Sequence, residues 1–308
     1  MAVASASLLS TMPPPSLPFK DPRVVDRKLS AREIDEGVMR VRRGIGMAEL
    51  RTLDPFLLLD EVKGKAPAGF PDHPHRGFQT VTYVLKGSVV HEDFQGRQGT
   101  IRDGDVQWMT AGRGIVHSEM IGSAEEETHA FQLWVNLAAK DKLMAPSYQE
   151  IQAKDIPVGE ARGVKVVVIA GTAFGVTSPV FTQVPMMFLD FNLEPGWEMH
   201  QPVPAGWSSF IYIISGFAIF GANRVKSGPH CTLVLGPGDG ITVRNEGRED
   251  CRFLLVGGSP LREPIAQSGP FVMNTKDELR TAFLDYQYGR NGFQKASQWR
   301  SRHRQGGS

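Results

Sequence analysis

The amino-acid sequence predicts an all-β protein built from two stacked jelly-roll barrels, with only short helices. Short strand-like runs punctuated by glycine take over from Val24 onward, and regularly spaced short strands are typical of sandwiches and barrels. The chain has 308 residues, a length that favours two domains, each with its own hydrophobic core. A weak internal duplication agrees with this division, because the Gly-Asp turn at residues 104–105 returns at residues 238–239.

The overall composition argues against two classes of partner. The net charge is only +1, so the charge of the whole chain does not favour nucleic acid. No apolar run approaches the length that spans a membrane. Cys231 and Cys251 are too few for a disulfide framework, and we interpret them as free thiols of a reducing compartment. We therefore expect a cytoplasmic and nuclear protein that binds neither nucleic acid directly nor membranes.

The first 24 residues precede the first predicted strand. They are rich in Ser, Ala and Pro and contain no acidic residue before Asp21, which is typical of a plastid transit peptide. However, the segment up to Lys20 lacks arginine, and the three prolines at 13–15 block a continuous amphipathic helix. We therefore expect a disordered extension over residues 1–24, with plastid targeting as the alternative.

In the predicted first domain, residues 25–150, β-branched and aromatic residues mark the strands. These runs lie at residues 38–41, 56–60, 79–85, 89–94, 104–109, 115–119 and 129–137. A Lys-Gly-Ser turn at residues 86–88 joins two of them. A jelly roll of such strands encloses a cavity in which inward-facing side chains can hold a metal ion.

Two pairs of potential metal ligands flank the middle of this domain, His73 with His75 and His117 with Glu119. Residues at i and i+2 of a strand point to the same face, so each pair is aimed in one direction. Three imidazoles and one carboxylate without thiolate suit Fe(II), with Mn, Co, Ni and Cu as alternatives. Four ligands on an octahedral ion leave two positions open, enough for dioxygen or a chelating substrate.

Four further residues are expected near this site or in its pocket. His91 follows two valines and is interpreted as structural or as a neighbour of the ligands. Trp108 and Met109 are consecutive, so strand alternation turns at least one of them inward, where it either packs in the core or lines the pocket. Gln79 lies four residues after His75 and is the fourth residue expected next to the ligands or in the pocket.

The predicted second domain, residues 160–290, lacks the ligand pattern. Residues 140–161 are polar, contain Pro146 and Pro157, and are interpreted as the connection between the domains. The second half has a His-Gln-Pro sequence starting at His200 instead of His-x-His, and no His-x-Glu follows the turn at residues 238–239. We therefore expect this domain to be metal-free.

A short helix and a basic tail are predicted at the C-terminus. Thr275 and Glu278 form a capping box before apolar residues at helical spacing, and Gly289 ends the helix. Residues 291–308 form the basic tail. We expect this tail to be solvated and disordered, with a nucleic-acid or nuclear-import role as the alternative.

Three segments of the first domain resemble the pirin family of two-domain cupins, and in particular its plant members. They are residues 73–78 (HPHRGF), 91–94 (HEDF) and 104–114 (GDVQWMTAGRG), and the likeness runs from about residue 25 to 289. The resemblance implies an iron site whose ligands are His73, His75, His117 and Glu119. Pirins usually carry glutamate where this chain has Gln79, so restoring it with Gln79→Glu is expected to lower the reduction potential of the iron.

The resemblance implies two alternative functions. The first is a quercetin 2,3-dioxygenase, with a flavonol and O2 as substrates and Glu119 as the general base. The second is a non-enzymatic, redox-sensing cofactor of a transcription factor or, in plants, a partner of the heterotrimeric G-protein α subunit. Arg40, Arg42 and Arg43 are candidate contacts for such a partner, or simply a solvated strand face. A pocket of at least about 300 Å³ beside the metal would favour the enzyme.

Overall fold

Strands make up most of the computed structural model, which describes residues 18–36 and 39–302. In chain order the first twelve strands are β1 (Val25–Ser30), β2 (Arg32–Glu36), β3 (Met39–Ile45), β4 (Phe56–Gly64), β5 (Gly69–His75), β6 (Phe78–Lys86), β7 (Ser88–Asp93), β8 (Gln98–Arg102), β9 (Val106–Thr110), β10 (Ile115–Ile121), β11 (Thr128–Asn136) and β12 (Ser147–Ile151). Two short 3-10 helices, Ala139–Asp141 and Ala153–Asp155, lie on either side of β12.

The remaining elements are again strands, until one helix near the C-terminus. They are β13 (Val158–Ala161), β14 (Val164–Ala170), β15 (Thr172–Ala173), β16 (Val176–Thr177), β17 (Met186–Leu193), β18 (Glu198–Pro202), β19 (Ser208–Ser215), β20 (Ala218–Phe220), β21 (Val225–Ser227), β22 (Cys231–Leu235), β23 (Gly240–Arg244), β24 (Cys251–Gly258), β25 (Ala266–Ser268), β26 (Phe271–Met273) and α1 (Lys276–Gln287). None of the described helices is long and apolar enough to cross a membrane.

Each domain pairs a seven-stranded sheet with a four-stranded one. The first domain has the orders β12-β9-β6-β11-β4-β3-β2 and β5-β10-β7-β8, and the second has β1-β22-β19-β24-β17-β14-β13 and β18-β23-β20-β21. In β7, inward-facing residues Val89, His91 and Asp93 are buried, and they alternate with half-buried ones as a strand between core and solvent requires. The predicted all-β fold of two cupin barrels with a short C-terminal helix is confirmed.

Strand pairing crosses the predicted boundaries of the two domains. Strand β1 pairs with β22 in the sheet of the second domain, although sequence reasoning assigned residues from 25 onward to the first. The segment predicted as a connection supplies β12, which pairs with β9 at the edge of the first sheet. Strand pairing therefore does not follow chain order near the predicted domain boundaries. The division at residues 25–150 and 160–290 stays a prediction.

The C-terminal segment packs against the first domain. The predicted capping box is present, with Glu278 N donating to Thr275 Oγ1 at 3.2 Å. After the helix, Phe293 is fully buried in one apolar cluster with Met109 and Ile115 of the first domain. The disorder expected for the tail is therefore wrong for residues 291–302. Burial of the Phe293 side chain lowers its free energy relative to exposure to water, and this favours an ordered segment. Residues 303–308 and residues 1–17 lie outside the described residues.

The disorder expected for the N-terminal extension is wrong for residues 22–23. Pro22 pairs with Gly240, and Arg23 is 1% exposed and donates to the Gly236 carbonyl at 2.8 Å.

The two seven-stranded sheets pack face to face. One apolar cluster joins Trp108 and Phe131 of the first domain to Phe188 and Phe210 of the second. Two tyrosines cross this interface in opposite directions, each donating to a carboxylate. Tyr83 Oη donates to Asp190 Oδ2 at 2.8 Å, and Tyr212 Oη donates to Glu61 Oε2 at 2.8 Å.

Glu61 is the centre of a buried polar network between the domains. Besides Tyr212, His129 Nε2 and His230 Nδ1 lie 2.8 and 2.9 Å from its carboxylate oxygens. Burial by itself would raise the pKa of Glu61, but the hydrogen bonds from His129 and Tyr212 and the charges of the two histidines outweigh it. They lower the pKa from 4.5 to about 2, so the carboxylate is ionised at neutral pH and binds the two domains together.

We predict that Glu61→Gln destabilises the fold by about 3 kcal/mol near pH 7, the equivalent of the lowered pKa. Because the folded-state pKa lies below the unfolded-state one, the contribution of Glu61 is complete above about pH 4.5 and is lost as the pH falls toward 2. Urea unfolding of both proteins in steps over this pH range measures the difference in free energy.

The matched control is Glu126→Gln, which removes an exposed carboxylate 3.3 Å from Lys86. We expect it to change stability by less than about 1 kcal/mol. A destabilisation by Glu61→Gln that is as large near pH 2 as near pH 7 would contradict the prediction.

Candidate metal centre

The antiparallel pairing of β5 with β10 brings the two predicted ligand pairs together. In this register His73 lies opposite His117, and His75 lies opposite Ile115. The register shifts between His117 and Glu119, because two steps of β10 match the three steps of β5 from Phe70 to His73. A bulge in β5 therefore lies beside the second pair. Gly77 lets the chain turn directly after β5, because its φ of +88° favours glycine and a Cβ there would lie 1.9 Å from the Val272 carbonyl oxygen.

Three imidazoles form one compact cluster. The Nε2 atoms of His73 and His75 lie 2.9 Å apart, and the ring centre of His117 lies 4.4 and 5.0 Å from the ring centres of His73 and His75. One nitrogen from each of the three rings lies within 4.8 Å of the others. Two nitrogens bound side by side at about 2.1 Å to one octahedral ion would be about 3.0 Å apart, close to the observed spacing.

The hydrogen bonds of the cluster leave nitrogen lone pairs for a ligand. His73 Nδ1 donates to the Pro71 carbonyl at 2.7 Å, so its Nε2 carries a lone pair, which faces His75 Nε2 at 2.9 Å. Neither ring nitrogen of His117 has a hydrogen-bond partner among the described residues, although the ring is only 1% exposed. An unpaired buried polar atom costs about 1–3 kcal/mol, and a divalent metal bound by one of the two His117 nitrogens would remove that cost for the bound atom.

Burial keeps these histidines neutral, as metal binding requires. It lowers the pKa of His75 well below the usual value, and the charge of His73 lowers it further. Burial likewise lowers the pKa of His117, together with the charges of His73, His75 and His91. For His73, burial lowers the pKa although the Glu119 carboxylate opposes the shift.

Glu119, the predicted fourth ligand and base, lies at the edge of the histidine cluster. Its Oε2 is 3.9 Å from His117 Nε2. Oε1 accepts a hydrogen bond from Thr82 Oγ1 at 2.9 Å, and Oε2 accepts one from Gln132 Nε2 at 2.8 Å. Sequence reasoning missed Thr82 and Gln132, because they lie on β6 and β11 and belong to no motif. Ligation by Glu119 stays a prediction.

Gln79 faces away from the histidines. Thr82 faces Glu119, so strand alternation turns Gln79 to the other side of β6. There its Nε2 donates to Thr110 Oγ1 at 2.8 Å, and it pairs in register with Val135 of the core between the domains. The expected effect of position 79 on the charge around the metal therefore has no structural basis.

The other three predicted neighbours have different surroundings. Trp108 is fully buried in the core between the domains and lines no part of the site. Met109 packs against the C-terminal segment, in the cluster that includes Phe293. His91 is the residue expected to be structural or a neighbour of the ligands. It lies opposite Glu119 in the register of β7 and β10. Its Nε2 is 3.0 Å from a Glu150 carboxylate oxygen.

The three arginines predicted as partner contacts each lie beside a carboxylate. The pairs are Arg40 with Glu127 at 3.7 Å, Arg42 with Glu33 at 3.1 Å and Arg43 with Asp60 at 2.7 Å. Charge pairing of this kind is common on a solvated strand face. Binding of a transcription factor or a G-protein α subunit stays a prediction, as does the cytoplasmic and nuclear location.

A cavity of about 880 Å³ opens beside the histidine cluster. His73, His75, Gln132 and Trp134 form part of its wall, and the pair Arg43 and Asp60 forms another part. The cavity is larger than the minimum of about 300 Å³ expected for a small-molecule site. The fold and this site together define a two-domain cupin with a candidate divalent-metal centre in its first barrel.

Comparison with known proteins identifies the family. The family model described as Pirin matches residues 38–135, and the model described as Pirin C-terminal cupin domain matches residues 188–292. A pirin-like protein of Solanum lycopersicum is 54% identical over 287 residues, which cover 92% of this chain and 98% of that protein. Pirin of Homo sapiens is 52% identical over 276 residues, covering 88% and 95% of the two chains. The chain belongs to the pirin family.

A solved structure with a similar fold carries the name of an enzyme. The crystal structure of quercetin 2,3-dioxygenase from Acinetobacter baumannii superposes with a TM-score of 0.81 and 33% sequence identity. The match covers 88% of this chain and 99% of that one, so both barrels take part in the similarity.

We predict that His117→Ala removes most of the bound metal without unfolding the barrel. Replacing residues that only surround a metal site already costs about 10- to 100-fold in affinity, so we expect the loss of a ligand to cost more than about 100-fold. Elemental analysis after anaerobic loading with Fe(II) measures the metal content, and circular dichroism checks the fold.

His200→Ala is the matched control in the second domain. His200 Nδ1 lies 2.9 Å from Thr242 Oγ1 and its side chain is 37% exposed. We expect its metal content to equal that of the wild type. Stoichiometric metal in His117→Ala would exclude His117 as a ligand, and a loss of half the metal in His200→Ala would reveal a second site.

Proposed function

We propose that this pirin is an iron(II)-dependent dioxygenase that acts on a flavonol of the quercetin type. The observation that carries the proposal is the large cavity beside three clustered histidines, of which His75 and His117 are fully buried. A cavity of this size beside the histidines favours a small-molecule substrate site over a metal site without a substrate. The similarity to a bacterial protein named quercetin 2,3-dioxygenase supports the choice of substrate class.

The residues present fit the proposed cofactor. His73, His75 and His117 would hold the iron, with Glu119 as the candidate fourth ligand. Nitrogen and oxygen donors without thiolate suit Fe(II), although other first-row divalent metals share this preference. When bound, the iron would supply the one-electron chemistry that dioxygen requires.

An aromatic wall suits a flat, polycyclic substrate. The ring of Trp134 lies 4.5 Å from that of Phe78 and 5.2 Å from that of His75, centre to centre. Trp134 also lines the cavity. A flavonol ring placed against this indole would be oriented toward the histidines, and the apolar contact would exclude water from the reacting atoms.

Glu119 is the base of the proposed reaction. A flavonol has an acidic hydroxyl next to its carbonyl group, and that proton must leave before the ring is oxidised. The carboxylate of Glu119 lies beside His117 and is joined to the cavity wall through Gln132. It would accept the proton of a flavonol hydroxyl bound at the histidine cluster. Thr82 and Gln132 hold the two carboxylate oxygens in place.

We predict that the protein consumes quercetin and O2 when it is loaded anaerobically with Fe(II) and then exposed to air. Loss of the flavonol absorption band and oxygen uptake follow the reaction together. The metal-free protein is the control, and it should be inactive. Fully iron-loaded wild type that leaves quercetin unchanged would contradict the proposed function.

We further predict that Glu119→Gln lowers turnover much more than iron content. A positioned general base contributes about 10²- to 10⁴-fold, whereas glutamine keeps the size of the side chain and one oxygen for the metal. Iron content and kcat are measured on the same samples, with Glu160→Gln on the surface of the second domain as control. Equal fractional losses of iron and activity would show that Glu119 is only a ligand.

A further inference from the structure

A chain of hydrogen bonds connects the cavity wall to Glu119. Trp134 Nε1 donates to Gln132 Oε1 at 2.9 Å, and Gln132 Nε2 donates to Glu119 Oε2 at 2.8 Å. From the opposite side, Thr82 Oγ1 donates to Glu119 Oε1 at 2.9 Å. Thr82 and Glu119 are buried, so water does not compete freely for these bonds. Both oxygens of the carboxylate are therefore held by neutral donors.

Trp134 determines which end of the Gln132 amide faces the carboxylate. An indole N–H can only donate, so it must be met by the amide oxygen, and the amide NH2 then points to Glu119. The indole itself is fixed by its packing against Phe78 and His75. A donor on each oxygen matches an ionised carboxylate, which can only accept.

We propose that Gln132, oriented by Trp134, and Thr82 are positioning residues that fix the carboxylate of Glu119 for proton transfer. Because each oxygen already accepts a hydrogen bond, the carboxylate cannot rotate to turn both oxygens toward the metal without breaking one of them. Each oxygen keeps a second lone pair, so one oxygen can still face the metal or the substrate proton while the orientation of the carboxylate stays fixed. This inference rests on the proposed function, since it assigns a role within that reaction.

The variant that tests the proposal is Gln132→Leu, which keeps a branched side chain of similar volume but removes the donor. We expect kcat for quercetin to fall about 10- to 100-fold while iron content stays stoichiometric. In protein loaded with Co(II) instead of iron, we expect the visible absorption bands to shift, because the released carboxylate changes its position at the metal. A role in folding alone would move neither the Co(II) bands nor kcat at full occupancy.

Trp134→Phe is the second variant, because it removes the indole N–H and keeps an aromatic ring against Phe78. The Gln132 amide is then free to flip, so we expect a smaller shift of the Co(II) bands in the same direction. If Gln132→Leu fails to fold, the Co(II) spectrum of Trp134→Phe still tests whether the Gln132 amide positions Glu119. The matched control is Gln79→Leu, the same substitution at a buried amide on the opposite face of the sheet, and its spectrum should equal that of the wild type.

The outcomes separate this inference from the proposed function. Wild type that binds Fe(II) but leaves quercetin intact would contradict the function, while the Co(II) spectra would still show whether Gln132 positions Glu119. Spectra of Gln132→Leu and Trp134→Phe that superpose on the wild type would overturn the positioning role, even if quercetin is consumed. Equal shifts in Gln79→Leu and Gln132→Leu would overturn it as well.

Discussion

The pairing of β5 with β10 is the constraint on which the site depends. It places His73 opposite His117, although 43 residues separate them in the chain, and it buries imidazole nitrogens that have no hydrogen-bond partner in the described part of the chain. Burial of unpaired polar atoms is unfavourable, so the barrel must be held together by other contacts until a metal binds. The same burial lowers the pKa of His75 and His117 and thereby keeps them in the form that binds a metal.

Much of that support comes from outside the first barrel. Arg76, the residue after His75, donates to Asp285 of the C-terminal helix at 2.9 Å, and both side chains are almost fully buried. A buried pair of this kind is costly to break, since either partner alone would be an uncompensated charge. Glu61 and Asp190 add hydrogen bonds across the interface between the sheets. We conclude that contacts from the second half of the chain, which lacks the ligand pattern, stabilise the barrel that carries the histidines.

The cavity face of the seven-stranded sheet in the first domain connects the cavity wall to the proposed base. Thr82 and Gln132 hold Glu119, and Trp134 joins the same hydrogen-bond chain while forming part of the cavity wall. A substrate that packs against the indole would therefore lie next to the residue that orients the Gln132 amide. Binding and proton transfer would then depend on one set of contacts, as expected for a site that is organised before the substrate arrives.

The sequence by itself determined the features that depend on local spacing. The i and i+2 ligand pairs, the capping box at Thr275 and the all-β pattern are periodic signals within a few residues, and the structure has the three histidines together and the helix in place. Only the tertiary structure decided which face of β6 meets the histidines, and hence that Thr82 approaches Glu119 while Gln79 does not. It also decided that β1 joins the second domain and that Phe293 is buried against the first. The physical reason is that alternation along a strand defines two faces but not which one is inward, and that choice is made by residues far away in the chain.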